Sequence, residues 1–262
     1  MITRILTAIV ALLLLVPLLI WGGAWGACAL FALIAGFSVF EMLGCCSLLK
    51  KWAISIPSIA ISALVAILPV WNMDAAIKSV SLGLPALIVL FLIFTVITHS
   101  TTDVERLLMF ITLAVYITAG LTALSYMRVI YGLWAVALVL SVAWATDTFA
   151  YFSGMLFGNK KLCPNISPKK TIAGAIGGTA FGTAAGVLVF WLADKNPLLG
   201  LIALPPSIVS QFGDLAASVI KRRFGVKDYG KIFPGHGGVL DRFDSIIPVA
   251  VITVAFLVIF GV

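Results

Sequence analysis

The sequence predicts an all-α fold, a polytopic transmembrane bundle of about nine spans with its N-terminus in the cytoplasm. Three observations lead there: the composition, the spacing of the apolar runs and the sidedness of the cations. Of the 262 residues, 62% are hydrophobic and 10% are charged, and the mean hydropathy is +1.19. A globular chain averages roughly 45–50% apolar and about a quarter charged, so this one lacks the polar residues to coat a core. The same figures exclude a disordered or nucleic-acid-coating chain despite a formal net charge of +7. No nucleic-acid partner is expected.

A bilayer core takes about 20 apolar residues per helix. Nine such stretches fall near 5–21, 25–46, 52–72, 82–99, 107–127, 130–152, 172–193, 198–219 and 245–261. In the first, Arg4 followed by an apolar run through Ile20 resembles a signal peptide. The run is long for one, however, and eight more spans follow, so it reads as a membrane helix. The break before the second is the turn Trp21-Gly22-Gly23-Ala24-Trp25. Glu41 and His99 lie toward the cytoplasmic ends of the second and fourth spans and read as satisfied structural residues. No sheet signal survives, and backbone groups in lipid must be satisfied within each segment, so helices are the default.

Fourteen of the 17 Lys and Arg fall in loops on the N-terminal side, and only Lys78, Arg128 and Lys195 fall on the other. Cations collect on the cytoplasmic side of membrane proteins. The count of nine, the cytoplasmic N-terminus and a C-terminus on the far side follow together. Both long polar loops, 153–171 and 220–244, are then cytoplasmic. The cysteines (Cys28, the adjacent Cys45 and Cys46, and Cys163) form no disulfide framework or zinc spacing and read as small buried residues.

The acidic residues Asp147, Asp214, Asp228, Asp241 and Asp244 sit in or beside these two loops. Asp147 and Asp214 fall inside apolar spans, where a carboxylate costs a few kcal/mol and normally faces a partner, an ion or a wet cavity. A structural pair with a nearby cation such as Lys221 accounts for either one equally well. Along the eighth span, Ser207, Gln211, Asp214, Ser218 and Lys221 recur at spacings of four and three, which puts them on one helix face. That stripe suits a cavity wall, with a hydrogen-bonded seam between helices as the competing explanation. In the seventh span, Gly174, Gly178, Gly182 and Gly186 recur every fourth residue, a close-packing face for another helix.

The loop 220–244 combines three devices. Lys221, Arg222, Arg223, Lys227 and Lys231 form a cationic cluster suited to phosphates, although juxtamembrane cations also contact anionic headgroups. Pro234-Gly235-His236-Gly237-Gly238 lets backbone N–H groups approach an anion closely. Asp241 and Asp244 open the last span and share a face if its start is helical. Upstream, Ser167-Pro168-Lys169-Lys170-Thr171 precedes a helix, where Ser or Thr caps and the lysines offer a second anion site. Clustered carboxylates for a hard cation beside cations for phosphate describe a phosphoryl- or nucleotidyl-transfer site.

The stretch Ser218 to Asp244 resembles the signature of the phosphatidate cytidylyltransferase (CDP-diacylglycerol synthase) family. That pattern is S-x-x-K-R, four residues, K-D-x-G, three residues, P-x-H-G-G, two residues, D-R-x-D. Here it is filled by Ser218, Lys221, Arg222, Lys227, Asp228, Gly230, Pro234, His236, Gly237, Gly238, Asp241, Arg242 and Asp244 without a gap. Asp147-Thr-Phe-Ala-Tyr-Phe, Phe157-Gly158, Ser167 through Thr171 and Gly174 through Gly178 are similar to the family's preceding blocks. Ile172-Ala173 departs from the bulkier and the polar or acidic residue that many members carry there. Residues 141–262 are well covered, and 1–140 match only as apolar spans.

The resemblance implies a Mg²⁺-dependent integral-membrane homodimer that joins CTP and phosphatidic acid into CDP-diacylglycerol and releases pyrophosphate. By motif position, Asp214 and Asp241 would be the metal carboxylates, with K⁺ alongside and Asp244 and Asp147 as supporting or additional cation ligands. Lys221, Arg222, Lys227 and Arg242 are assigned to triphosphate or phosphatidate phosphate. Ser218 and His236 are assigned as hydrogen-bond donors, and Asp228, Gly237, Gly238, Lys169, Lys170 and Thr171 also to substrate. Residues 1–140 would serve as scaffold and dimerisation helices, and 141–262 as the catalytic part in a bacterial inner membrane, its site facing the cytoplasm. The rival from another class, an anion transporter, predicts inverted repeats and broken midplane helices, and the sequence contains neither.

Overall fold

A computed structural model describes residues 13, 15–71, 85, 88–89, 91–94, 96–97, 103–164, 166–233, 235 and 237–261. Much of the expected spans 5–21 and 82–99 lies outside these residues, as do Arg4, Lys78, His99, Pro234 and His236. Among the described residues, six helical stretches are long and apolar enough to cross a membrane: Gly23–Cys45, Trp52–Val70, Val104–Ile130, Leu133–Phe157, Ile172–Leu192 and Pro197–Arg223. Ile246–Phe260 is a shorter apolar helix. The protein is a helical membrane protein made of two compact units. One is Met1–Ile130 with Phe224–Arg242, and the other is Tyr131–Arg223 with Phe243–Val262.

In the first unit, α1 (Gly23–Cys45), α2 (Trp52–Ile67, extended by a 3-10 turn at Leu68–Val70) and α3 (Val104–Ile130) pack on one another. Ala27, Phe31, Ala35, Val39 and Met42 form the buried face of α1. Helix α1 stops where Ser47 turns left-handed (φ 60°) and the Leu48 N–H reaches back to the Leu43 carbonyl at 2.8 Å. Such a turn satisfies carbonyls that a helix end leaves open. One polar stitch joins α3 to α2, the Thr118 hydroxyl donating to Ser62 Oγ at 2.8 Å. The segment 224–242 joins this unit through α1, as described below.

The second unit is built on α4 (Leu133–Phe157) and α5 (Ile172–Leu192). All four ladder glycines are buried. A Cβ on Gly178 would stand 2.8 Å from the Thr146 carbonyl oxygen, and one on Gly174 2.6 Å from that of Ala150. The first two glycines of the expected close-packing face therefore serve the α4–α5 seam, where only hydrogen side chains let the two backbones touch, while Gly182 lies against Thr146 and Ser207 and Gly186 against Gly200 and Ala203. Phe149 and Phe181 stack across the same seam with ring centroids 3.9 Å apart.

Several expectations are corrected. The loop 153–171 is not free of sheet, because β1 (Lys161–Cys163) and β2 (Ser167–Thr171) pair antiparallel. The polar segment satisfies its backbone groups across this short hairpin, whose base is closed by the Ile172 N–H on the Lys160 carbonyl at 3.0 Å. The loops are also shorter than expected, since α4 runs on to Phe157 and α6 (Leu204–Arg223) carries its helix through the cations of its last turn. Cations there interact favourably with the negative end of the helix dipole. The expected eighth helix is two pieces, a 3-10 stretch Pro197–Ala203 and then α6. The prolines at 205 and 206 sit in the first turn of α6, where a missing N–H breaks no helical bond. Finally, α7 (Leu240–Phe243) ends before Asp244, and α8 (Ile246–Phe260) begins after it. Asp241 and Asp244 thus do not share one helix face.

Candidate active site

In the second unit the polar stripe of α6 divides in two. Its first half is a seam with α5: Gln211 Nε2 donates to Thr179 Oγ1 at 2.9 Å and to the Ala175 carbonyl at 3.2 Å, and the Ser207 hydroxyl lies 3.4 Å from the Thr179 carbonyl while also donating within α6 to the Leu204 carbonyl at 2.8 Å. The second half carries charge. Asp214 is paired with Lys170 at 2.8 Å, the two side chains being 38% and 27% exposed, and Lys170 also donates to the Gln211 carbonyl at 3.3 Å. The cation that Asp214 holds therefore comes from the hairpin rather than from Lys221.

About two turns on, Lys221 faces Asp244 at 4.0 Å, both largely buried. Asp244 Oδ1 accepts the Ser245 N–H at 2.9 Å, and the Ser245 hydroxyl donates to Asp147 Oδ2 at 3.0 Å. Helix α6 can approach this turn because residue 213 is glycine, where a Cβ would stand 2.6 Å from the Asp244 carbonyl oxygen. The structure thus brings together Asp214 with Lys170, and Asp147 with Asp244 and Lys221 through Ser245. No sequence signal singled out Ser245. Ser218 is half-buried, while Lys169 and Arg222 are exposed. Thr171 is buried and caps α5, its Oγ1 accepting the Gly174 N–H at 3.1 Å.

In the first unit the glycine loop wraps a carboxylate. Asp241, 7% exposed, accepts on Oδ2 the N–H groups of Tyr229 at 2.8 Å and Gly238 at 2.9 Å. Gly237 has φ +87°, and a Cβ there would stand 2.8 Å from Asp241 Oδ2 and 3.3 Å from Asp228 Oδ1. Glycine thereby allows both a left-handed backbone and the close approach of two carboxylates. The Phe233 N–H closes the loop on the Gly237 carbonyl at 2.9 Å. Lys227, Asp228 and Arg242 are exposed around it.

Glu41, which the sequence reading takes as a satisfied structural residue, lies against the glycine loop of the candidate site. It is 3% exposed, and its two oxygens accept the N–H groups of Val239 and Leu240, each at 2.9 Å. A carboxylate in an apolar span was the available signal. Its partner, 198 residues further along the chain, was not legible. Part of the glycine loop's affinity for anions is thus directed at the protein's own carboxylates.

Among the described residues no group of three or more His, Cys, Asp or Glu side chains is arranged to hold a metal. A Mg²⁺ that takes phosphate oxygens for much of its coordination needs only one or two carboxylates. The donor chemistry fits: Asp241 with Asp228 beside it in one unit, and Asp214 in the other, are hard oxygen ligands. Asp214 already binds a cation, the Lys170 ammonium.

Over residues 2–260 the chain matches the family model described as Cytidylyltransferase family. A phosphatidate cytidylyltransferase of Staphylococcus haemolyticus is 37% identical over 251 residues, which cover 92% of this chain and 93% of the relative. One from Staphylococcus saprophyticus is 38% identical over 254 residues, with the same 92% and 93% coverage. One from Brucella abortus is 47% identical over 133 residues, 50% of this chain and 49% of the relative.

Proposed function

The chain belongs to the cytidylyltransferase family, and from that premise we propose that it joins CTP and phosphatidic acid into CDP-diacylglycerol with release of pyrophosphate. The observation that carries this reading is the similarity, along nearly the whole chain, to relatives named for that reaction.

An oxygen of the phosphatidate phosphate attacks the α-phosphorus of CTP, the bond to the β-phosphate breaks, and pyrophosphate leaves with the electron pair. No protein nucleophile is required, so positioning and charge neutralisation supply the rate. Asp214 and Asp241 would hold Mg²⁺, with K⁺ alongside. When bound, Mg²⁺ offsets the charge that develops on the transferred and leaving phosphates.

The chain's own cations do the remaining electrostatic work. Lys169, Lys170, Lys221, Arg222, Lys227 and Arg242 hold the triphosphate and the phosphatidate headgroup. Ser218 and His236 donate hydrogen bonds to the same groups. The pairs Lys170–Asp214 and Lys221–Asp244 keep two of these ammonium groups in place before substrate arrives. The same reading puts nine spans in a bacterial inner membrane, the N-terminus and the site at the cytoplasmic leaflet, and two copies in a homodimer.

The test is direct. Purified protein in detergent, given labelled CTP, phosphatidic acid and Mg²⁺, should form a labelled CDP-lipid and one pyrophosphate for each. Nucleotide binding without either product would remove the reaction. Omitting Mg²⁺, or replacing K⁺ by a bulky organic cation, tests the two metals separately.

A further inference from the structure

Glu41 has no place in the reaction as assigned, yet it is among the most completely engaged polar side chains of the first unit. It projects from α1 into the loop 230–240 and accepts one N–H on each oxygen, from Val239 and from Leu240. Gly230 and Gly238 close over it, and a Cβ at either position would run into the carboxylate. Two glycines of the loop are thus explained by the room that an internal anion needs.

Next to this contact, the Gly238 N–H donates to Asp241. Three consecutive N–H groups, those of Gly238, Val239 and Leu240, are therefore divided between two buried carboxylates. Glu41 takes the pair nearer to Asp241 in the chain and so fixes the backbone that leads into it. A carboxylate within an apolar helix costs a few kcal/mol, and an apolar residue would pack the interior of α1 without that cost.

We propose that Glu41 is a positioning residue for the transfer reaction: by clamping residues 238–240 from α1, it holds the Asp241 carboxylate in its working orientation. This rests on the reading of Asp241 as a carboxylate of the reaction centre. Carboxylate-to-backbone bonds of this kind are charge-assisted and directional. Glutamine retains the length but offers one acceptor oxygen, and its amide N–H₂ turns a donor toward the second N–H. The clamp should fail by half with little change in packing.

The experiment compares Glu41→Gln, Glu41→Asp, Asp241→Asn and the wild type, each purified in detergent and checked for monodispersity and thermal midpoint. Hydrogen–deuterium exchange without nucleotide should show faster exchange of the amides at 239 and 240 in Glu41→Gln. Per folded molecule, kcat should fall by about ten-fold or more, the scale of losing one charged hydrogen bond. The Mg²⁺ concentration for half activity should rise, and KM for CTP should change little.

A purely structural Glu41 would change the yield and the thermal midpoint but leave kcat and the Mg²⁺ response per folded molecule intact, and that result overturns the proposal. So does faster amide exchange with unchanged turnover. If Glu41→Gln does not fold, Glu41→Asp decides, since it keeps the charge and shortens the reach. Wild-type turnover with a wild-type Mg²⁺ response in that variant also overturns the proposal. Wild-type activity in Asp241→Asn would instead remove the assignment of Asp241, whatever the exchange data show for Glu41.

Discussion

Asp241 has two separable duties, and substitution can pull them apart. Architecturally, its Oδ2 is the acceptor for two buried N–H groups, those of Tyr229 and Gly238. Chemically, it is the carboxylate assigned to the cation. Asp241→Asn keeps a side-chain oxygen of nearly the same reach, so both donors retain a partner and only the charge assistance is lost. Asp241→Ala leaves two buried donors unsatisfied at about 1–3 kcal/mol each, roughly 2–6 kcal/mol together. The expected outcome is that the asparagine variant extracts and melts almost like the wild type, within about 1.5 kcal/mol, but forms no CDP-lipid. The alanine variant should fail in both respects. Thermal unfolding followed by size-exclusion recovery, beside the labelled-CTP assay, reads both duties in one preparation. An alanine variant as stable as the asparagine variant would refute the hydrogen-bond account. An asparagine variant with wild-type turnover would refute the chemical one.

Three further outcomes are expected. Lys170→Met removes a partly exposed ion pair with Asp214, so stability should change by less than about 1 kcal/mol. Its kcat/KM for CTP should nevertheless fall about ten-fold or more, because a charged hydrogen bond to phosphate is worth about 1.5–3 kcal/mol; steady-state kinetics at varied CTP check this, and unchanged kinetics would take Lys170 out of the site. Gly178→Ala drives a methyl group into the Thr146 carbonyl and the Ala150 side chain, and such overpacking costs about 1–3 kcal/mol, which a lowered thermal midpoint would report. Cys163 is half-buried in the hairpin, whereas Cys28, Cys45 and Cys46 are buried. A membrane-impermeant maleimide should therefore label Cys163 in inside-out vesicles and not in intact spheroplasts, and the reverse pattern would invert the proposed topology.

What the linear chain determined is the part governed by local physics. An apolar run bounded by turn residues makes a helix wherever it is placed, because the backbone must satisfy itself away from water. The seventh stretch, expected at 172–193, accordingly appears as Ile172–Leu192. Its glycine ladder was legible because a small residue at every fourth position is a property of one helix alone. The residue types of the candidate site were equally visible, since hard oxygen donors and cations suit phosphate and Mg²⁺ wherever the fold sets them.

Tertiary structure decided the partnerships. Lys170 rather than Lys221 meets Asp214, because the hairpin β1–β2 brings Lys170 back to α6. Asp241 and Asp244 part company because the helix breaks at the turn where Ser245 reaches Asp147. Glu41 reads from the sequence as a satisfied structural residue, but the partners that satisfy it are two amides 198 and 199 residues away. Contacts over such separations leave no periodicity in the chain; they exist only once packing has brought distant backbone within hydrogen-bond reach.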